Sequence, residues 1–278
     1  SVVDPSTDFI VAPETALPDG IWENDLGSHP HFERLVNYLE DKPGSRWVIG
    51  MASFYFYKDS TQRSVTARRF REAPGYYDAY NTALYIEPDG AYELHHKSKL
   101  VPGVERLPFP ALFQYFERFA IDLGGTTGSL GTQDTPTVFR KEDQTVIAPV
   151  ICYESVYGDY VSKYVDQGAS VIFIITNDGW WSDTPGYRQH LTYASLRAIE
   201  FRRSIARSAN TGISAFLNQR GDILQPTGWW VPAAISDQVN LNHHRTLYSL
   251  IGDLFGKICL AGTGILLLLA FVSRKRSG

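Results

Sequence analysis

The sequence predicts an α/β domain followed by one membrane-spanning helix, and three observations predict it. Two apolar runs, VIAPVI from Val146 and VIFIIT within Ala169 to Thr176, end abruptly at polar residues, as buried strands do. Segments of helical spacing alternate with such strands, and one strand pair closes on a tight turn, which argues against an all-α or all-β fold. A final uncharged stretch, Ile258 to Val272, runs directly into Arg274-Lys275-Arg276. No internal repeat is present.

In chain order, Phe9 to Ala12 is a short strand that Pro13 stops immediately before Glu14. A carboxylate there is a solvated loop residue unless a nucleophile lies within its reach, when it becomes a general base. His29 to Asp41 carries Phe32, Leu35, Val36 and Leu39 on one helical face, and Pro43-Gly44 end it. Trp47 to Tyr57 is the next strand. The Arg63 to Arg71 segment, with Arg63, Arg68, Arg69 and Arg71, reads as a solvated basic face, or in a membrane enzyme as one that meets lipid phosphates. Asn81 to Ile86 and Ala91 to His95 form two strands joined at Pro88-Asp89-Gly90. The second delivers Lys97 on or just past its end. Adjacent His95 and His96 point to opposite faces of a strand, and no partner lies at zinc spacing, so no metal is expected.

Gly124 to Gly131 is Gly/Thr-rich but lacks the Gly-Lys-Ser/Thr of a phosphate-binding loop. The Val146 strand ends at Cys152, followed by Tyr153, Glu154 and Ser155. A cysteine at a strand's carboxyl end, where α/β sheets place their ligand crevices, is either a nucleophile or a buried core thiol. Tyr157 to Gln167 is a helix stopped by Gly168. The strand over Ala169 to Thr176 leads into Asn177-Asp178-Gly179-Trp180-Trp181, and His190 to Ser208 has helical spacing. Asn210 to Leu224 closes the domain with a strand pair around Arg220-Gly221-Asp222.

The 278 residues, 44% hydrophobic and 20% charged, suit one large packed domain. A formal charge of −4 gives no case for nucleic acid as a partner. Two cysteines, Cys152 and Cys259, make no disulfide framework, and Cys259 sits in the apolar tail. The chain starts at Ser1 without a signal peptide and reads as an excerpt of a longer protein.

Ile258 to Val272 alone spans roughly 22 Å as a helix, short of a ~30 Å hydrocarbon core. Extended back to Leu254 it is long enough, with Lys257 free to snorkel. A terminal core helix is the alternative, but four consecutive leucines and a basic end favour a membrane span. The basic end places the C-terminus in the cytoplasm and the domain on the opposite face. The expected division is a catalytic domain over residues 1–246 and a transmembrane region over 247–278.

Glu14, Lys97 and Cys152 thus supply a base, a cation and a thiol at three strand ends. A thiol with an ordinary pKa near 8.5 is mostly protonated at neutral pH. A carboxylate can take its proton as sulfur attacks a carbonyl, and an ammonium can hold the oxyanion that develops.

The motifs APETALP, KSKLVPGVE and ICYES resemble the Glu, Lys and Cys motifs of the nitrilase, or carbon–nitrogen hydrolase, superfamily. More narrowly they resemble its apolipoprotein N-acyltransferases, as do TNDGWWSDTPGYRQH, RAIEFRRSIARSANTGISA and the terminal apolar helix. The resemblance implies a nitrilase-like αββα sandwich, with Glu14 as general base, Lys97 as catalytic lysine and Cys152 as nucleophile. It implies supporting roles for Glu105, Tyr153 and Glu154, and no cofactor. The implied partners are a phospholipid acyl donor and a diacylglyceryl-apolipoprotein acceptor. The implied place is a bacterial inner membrane, with Trp180 and Trp181 at the interface and the domain on the periplasmic side. The sequence departs from the pattern in lacking upstream transmembrane helices and the opening strand and helix of the domain. It also has Pro102-Gly103-Val104-Glu105 for Pro-Phe-Gly-Glu, and Lys99 where many relatives have His. A small-amide hydrolase and a catalytically idle anchored binding domain stand as alternatives.

Overall fold

The computed structural model describes residues 3–70, 73–106 and 129–276. Arg71 of the basic cluster and residues 124–128 of the Gly/Thr-rich segment lie outside the described residues. The order runs β1 (Phe9–Val11), β2 (Leu17–Trp22), α1 (Pro30–Glu40), β3 (Arg46–Tyr57), β4 (Arg68–Arg69), β5 (Tyr76–Ile86) and β6 (Tyr92–His96). It continues β7 (Phe139–Arg140), β8 (Val146–Ile151), α2 (Gly158–Asp166), β9 (Val171–Asn177), α3 (Gly186–Phe201) and β10 (Ile205–Asn210). β11 (Ala215–Leu217), β12 (Ile223–Leu224), α4 (Leu247–Ile251) and α5 (Leu254–Arg276) complete it.

The strands form two six-stranded sheets among the described residues. In the first, β3 lies between β1 and β5 and also pairs with β2, while β5 takes β4 and β6 as antiparallel neighbours. The second has the order β12-β11-β10-β9-β8-β7, with β8, β9 and β10 mutually parallel. The strand period of two decides the layering. Ile147, Ile151, Val171, Phe173 and Ile175 face Val48, Ala83 and Tyr85 of the first sheet. Their neighbours Val146, Ala148, Val150, Ile172 and Ile174 face the opposite way, onto α2 and α3. Ile49, Met51, Leu84 and Ile86 of the first sheet likewise meet Phe32 and Leu39 of α1. β8 and β9 are apolar on both faces because both faces are covered. The result is the αββα sandwich.

Two expected elements are corrected. The helix expected over His190 to Ser208 starts earlier, at Gly186, and stops at Phe201, and Ile205 to Asn210 is strand β10. Arg202 takes a left-handed conformation, φ +50°, which ends the helix without a glycine. β2 lies in the segment expected to be loop; it bends through Gly20 at φ +62° and shifts register against β3.

The C-terminal helix differs from all of these. Leu254–Ser273 is a 20-residue apolar stretch with 0% of it buried against the domain. At 1.5 Å per residue, the 23-residue helix is about 35 Å long, enough to cross a hydrocarbon core. Lys257 at its base reaches back to Asp159 at 3.6 Å.

Candidate active site

Three strand ends converge. β1 ends before Pro13, and Glu14 follows, 3% exposed, with Thr15 held at φ +52°. A close backbone approach fixes this bend: a Cβ on Gly50 of β3 would lie 2.5 Å from the Glu14 Cα and 2.6 Å from the Pro13 carbonyl oxygen. β6 ends at His96, and the Lys97 backbone N–H donates to the Asn81 carbonyl at 2.8 Å, so its side chain is delivered beside Glu14. β8 ends at Ile151, and Cys152 turns out of the strand at φ +48°, a strained value for a non-glycine residue.

That turn is held from two sides. Glu154, fully buried, accepts from the Ile151 N–H at 2.8 Å and the Ser98 N–H at 2.6 Å, tying the cysteine turn to the residue after Lys97. On the other side the His190 Nε2 donates to the Cys152 carbonyl at 3.1 Å. Its Nδ1 lies 2.9 Å from Asp178, which also accepts from Arg207 at 2.7 Å.

At the centre, Lys97 Nζ donates to Glu14 Oε1 at 2.9 Å and to Glu105 Oε1 at 2.8 Å. Asn81 Nδ2 donates to the same two oxygens, at 2.5 and 3.1 Å. The Asn177 N–H donates to Glu14 Oε2 at 2.6 Å, and the Val101 N–H to Glu105 Oε2 at 2.8 Å. Burial works against the Lys97 charge, but Glu14, Cys152 and Glu105 around it hold its pKa well above the ordinary value. Burial, together with the Glu14 carboxylate and against the pull of Lys97, pushes the Cys152 thiol up to about 12. The resting thiol is therefore protonated and needs a base to react. Glu154 is held low: its burial is outweighed by His95 and the backbone donors.

A cavity of about 340 Å³ opens onto this cluster. Glu14, Asn81, Glu105 and Asn177 form its polar floor, and Phe54, Val104, Leu130 and Trp180 its apolar wall. Trp180 is 53% exposed at the surface beside it. The arrangement can deprotonate a thiol, stabilise an oxyanion and receive a ligand that is polar at one end and apolar at the other.

The structure places Glu14, Lys97, Glu105 and Cys152 together. Glu154 lies behind the cysteine turn rather than on the cavity wall, and Tyr153 packs beside the inter-sheet core, edge-on to Tyr157 at 5.3 Å. His95 and His96 part as expected. His95 faces Glu154 and Tyr164, while His96 faces Glu23 and stacks on Tyr80. Among the described residues no three His, Cys, Asp or Glu side chains are grouped to hold a metal ion. Sequence reasoning missed Asn81 and the Asp178–His190–Arg207 chain. A polar Asn-Thr pair inside an apolar strand was the one local signal for Asn81.

A buried cysteine turned out of a strand end thus lies beside a lysine shared by two carboxylates on an αββα sandwich. The chain belongs to the carbon–nitrogen hydrolase family, whose model matches residues 7–247. It is 36% identical over 204 residues to the apolipoprotein N-acyltransferase of Chlorobaculum tepidum, covering 72% of this chain and 38% of that one. With the apolipoprotein N-acyltransferase of Rhizobium meliloti it shares 31% identity over 273 residues, 96% of this chain and 46% of that one. The chain thus spans less than half the length of these relatives. Among solved structures it is similar to Saccharomyces cerevisiae Nit3, a nitrilase-superfamily member, at TM-score 0.54 and 15% identity over 82% of this chain and 74% of that one. An amidase from Nesterenkonia sp. matches at TM-score 0.51 and 13% identity over 80% and 73%. These two likenesses concern the fold.

Proposed function

We propose that this chain is the catalytic part of an apolipoprotein N-acyltransferase, moving an acyl chain from a phospholipid to the α-amine of a diacylglyceryl-cysteine. The observation that carries the reading is the pairing of a protonated thiol, a base and an ammonium in one chain with an apolar helix none of whose hydrophobic stretch is buried against the described residues of the domain. The relatives' names support the same reading.

Glu14 takes the Sγ proton as Cys152 attacks the ester carbonyl of the donor. Lys97 has three N–H donors, two of them committed to Glu14 and Glu105, and the third, without a partner among the described residues, serves the oxyanion. Collapse of the tetrahedral intermediate breaks the bond to the glycerol oxygen, which takes the proton from Glu14 and leaves as a lysophospholipid. The acyl chain remains on Cys152 as a thioester. The acceptor amine then attacks the thioester, Glu14 takes the amine proton, and the Cys152 thiolate leaves and is reprotonated. Glu105 and Asn81 keep Lys97 and Glu14 in register throughout.

Residues 1–246 form the catalytic unit and 247–278 the membrane region. α5 anchors the domain at the bilayer with Arg274-Lys275-Arg276 in the cytoplasm, so the domain faces the periplasm. Trp180 and Trp181, 53% and 40% exposed, sit at the interface, where amphipathic rings are favoured.

The test is the fate of the acyl group. The full-length protein is loaded with phospholipid in detergent micelles and chased with a diacylglyceryl-cysteine peptide or with water alone. Intact mass spectrometry should show an acyl adduct that the free-amine peptide discharges as an amide. Discharge at the same rate with an N-blocked peptide would identify a hydrolase and overturn the reading.

A further inference from the structure

Of the described arginines in the basic segment, one does something the other two do not. Arg63 lies over the Tyr76 ring, 4.5 Å from its centre, and Arg69 is exposed. Arg68 lines the cavity above Glu14 and Glu105, and it is the only cationic side chain among the cavity's described lining residues. Its Nη2 donates to the Ser129 carbonyl at 3.3 Å. Among the described residues its buried Nε has no hydrogen-bond partner, and no carboxylate pairs with it.

The surroundings hold this guanidinium in place without neutralising it. Arg68 pairs with Tyr77 across β4 and β5. The loop before it is tied to Asp78, a fully buried carboxylate that accepts from Ser64 Oγ at 2.5 Å, Thr66 Oγ1 at 2.8 Å and Tyr57 Oη at 2.5 Å. Asp78 spends its lone pairs on hydroxyls, so Arg68 keeps its full charge. A buried, unmatched donor is costly unless a ligand supplies the acceptor. The charge balance asks for the same ligand. Two carboxylates and one ammonium leave the floor of the cavity negative, and an anion could enter only against a further cation.

We infer that Arg68 binds the phosphate oxyanion of the acyl donor and makes the site select phospholipids over uncharged acylglycerols. The guanidinium fork suits a phosphodiester's two free oxygens. Phe54, Leu130 and Trp180 offer apolar surface to the chain that the same molecule carries. This inference rests on the acyl-transfer reading above.

The experiment measures acyl-adduct formation on Cys152 in the full-length protein with two donors of identical chains, a phosphatidylglycerol and the corresponding diacylglycerol. In the wild type the phospholipid should react faster. Arg68→Gln should lower the phospholipid-to-diacylglycerol ratio of kcat/KM by about tenfold to a hundredfold, the size of one charge-assisted hydrogen bond, mainly through KM. Arg68→Lys should recover part of that ratio. An unaltered ratio in Arg68→Gln, including equal loss with both donors, overturns the inference while leaving acyl transfer standing. Absence of any adduct in the wild type removes the acyl-transfer reading, and the inference with it. A wild-type measurement guards against misfolding of the variants: protection of Cys152 from iodoacetamide by glycerophosphoglycerol, by inorganic phosphate and by glycerol. Protection by the glycerophosphodiester at lower concentration than inorganic phosphate, with none from glycerol, supports a lipid headgroup. Equal or better protection by inorganic phosphate assigns a free-phosphate site, and equal protection by glycerol assigns no anion site; either overturns the proposal.

Discussion

Replacing Lys97 with alanine probes the energetic centre of the site. Its ammonium is 1% exposed and serves Glu14 at 2.9 Å and Glu105 at 2.8 Å, themselves 3% and 13% exposed. Removing one member of a buried ion pair leaves an uncompensated charge and costs about 3–5 kcal/mol. Here two carboxylates are left facing each other with only Asn81 between them. In the variant the two carboxylates lose their shared counter-ion and repel each other at low dielectric. Urea unfolding in detergent micelles, followed by tryptophan fluorescence at pH 7, should show a destabilisation of about 3–5 kcal/mol. A loss below about 1 kcal/mol would refute the reasoning. Lys97→Arg restores the charge and should recover much of the stability. A planar fork cannot leave a donor where the ammonium's third N–H points, so adduct formation should stay at least a hundredfold down. Near-normal turnover by Lys97→Arg would mean that Lys97 supplies only a general positive potential.

Three further outcomes are expected. Gly50→Ala places a Cβ 2.5 Å from the Glu14 Cα and 2.7 Å from the Thr15 nitrogen; it should cost about 1–3 kcal/mol and slow adduct formation more than tenfold, measured by quenched-flow mass spectrometry. Asp178 is held at about 2 against an ordinary 3.8: its burial is outweighed by the His190 hydrogen bond and by Arg207. That depression gives about 2 kcal/mol above the unfolded value, lost as pH falls through the folded one. Asp178→Asn should therefore be less stable at pH 7 and show a flatter acid limb between about pH 4 and 2 than the wild type; parallel pH profiles would count against it. Leu267→Arg with Leu268→Arg should oppose membrane insertion by about 5–7 kcal/mol. Carbonate extraction should then release the protein, and its retention in the membrane would rule out α5 as the anchor.

Much of the site was legible because strand patterns announce their ends. In β1, β6 and β8 the apolar pattern stops within a residue or two of Glu14, Lys97 and Cys152. The three sites needed only the sandwich to bring them together. What was illegible was non-local or lacked its usual punctuation. The helix through Ser208 was overextended because Arg202 and Arg203 stand where a glycine normally marks the stop. Arg203 turns inward, 1% exposed, and donates to the carbonyls of Ala169, Phe201 and His244, contacts that no local spacing encodes. β2 was hidden by Pro18 and Gly20, residues that argue against a strand unless a bulge accommodates them. The Asp178–His190–Arg207 chain joins a loop, a helix and a strand, and only the fold makes it a unit. Arg68 was visible as a member of a basic cluster, but its separation from Arg63 and Arg69 is set by the pairing of β4 with β5.

Acyl transfer through a thioester on Cys152 is tested by peptide mapping of the full-length protein after incubation with phospholipid, comparing the wild type with Cys152→Ala and Cys259→Ala. A thioester mechanism predicts a hydroxylamine-labile acyl group on the peptide containing Cys152, present in Cys259→Ala and missing in Cys152→Ala. An acyl adduct that persists in Cys152→Ala, or one that maps to Cys259, would overturn that mechanism.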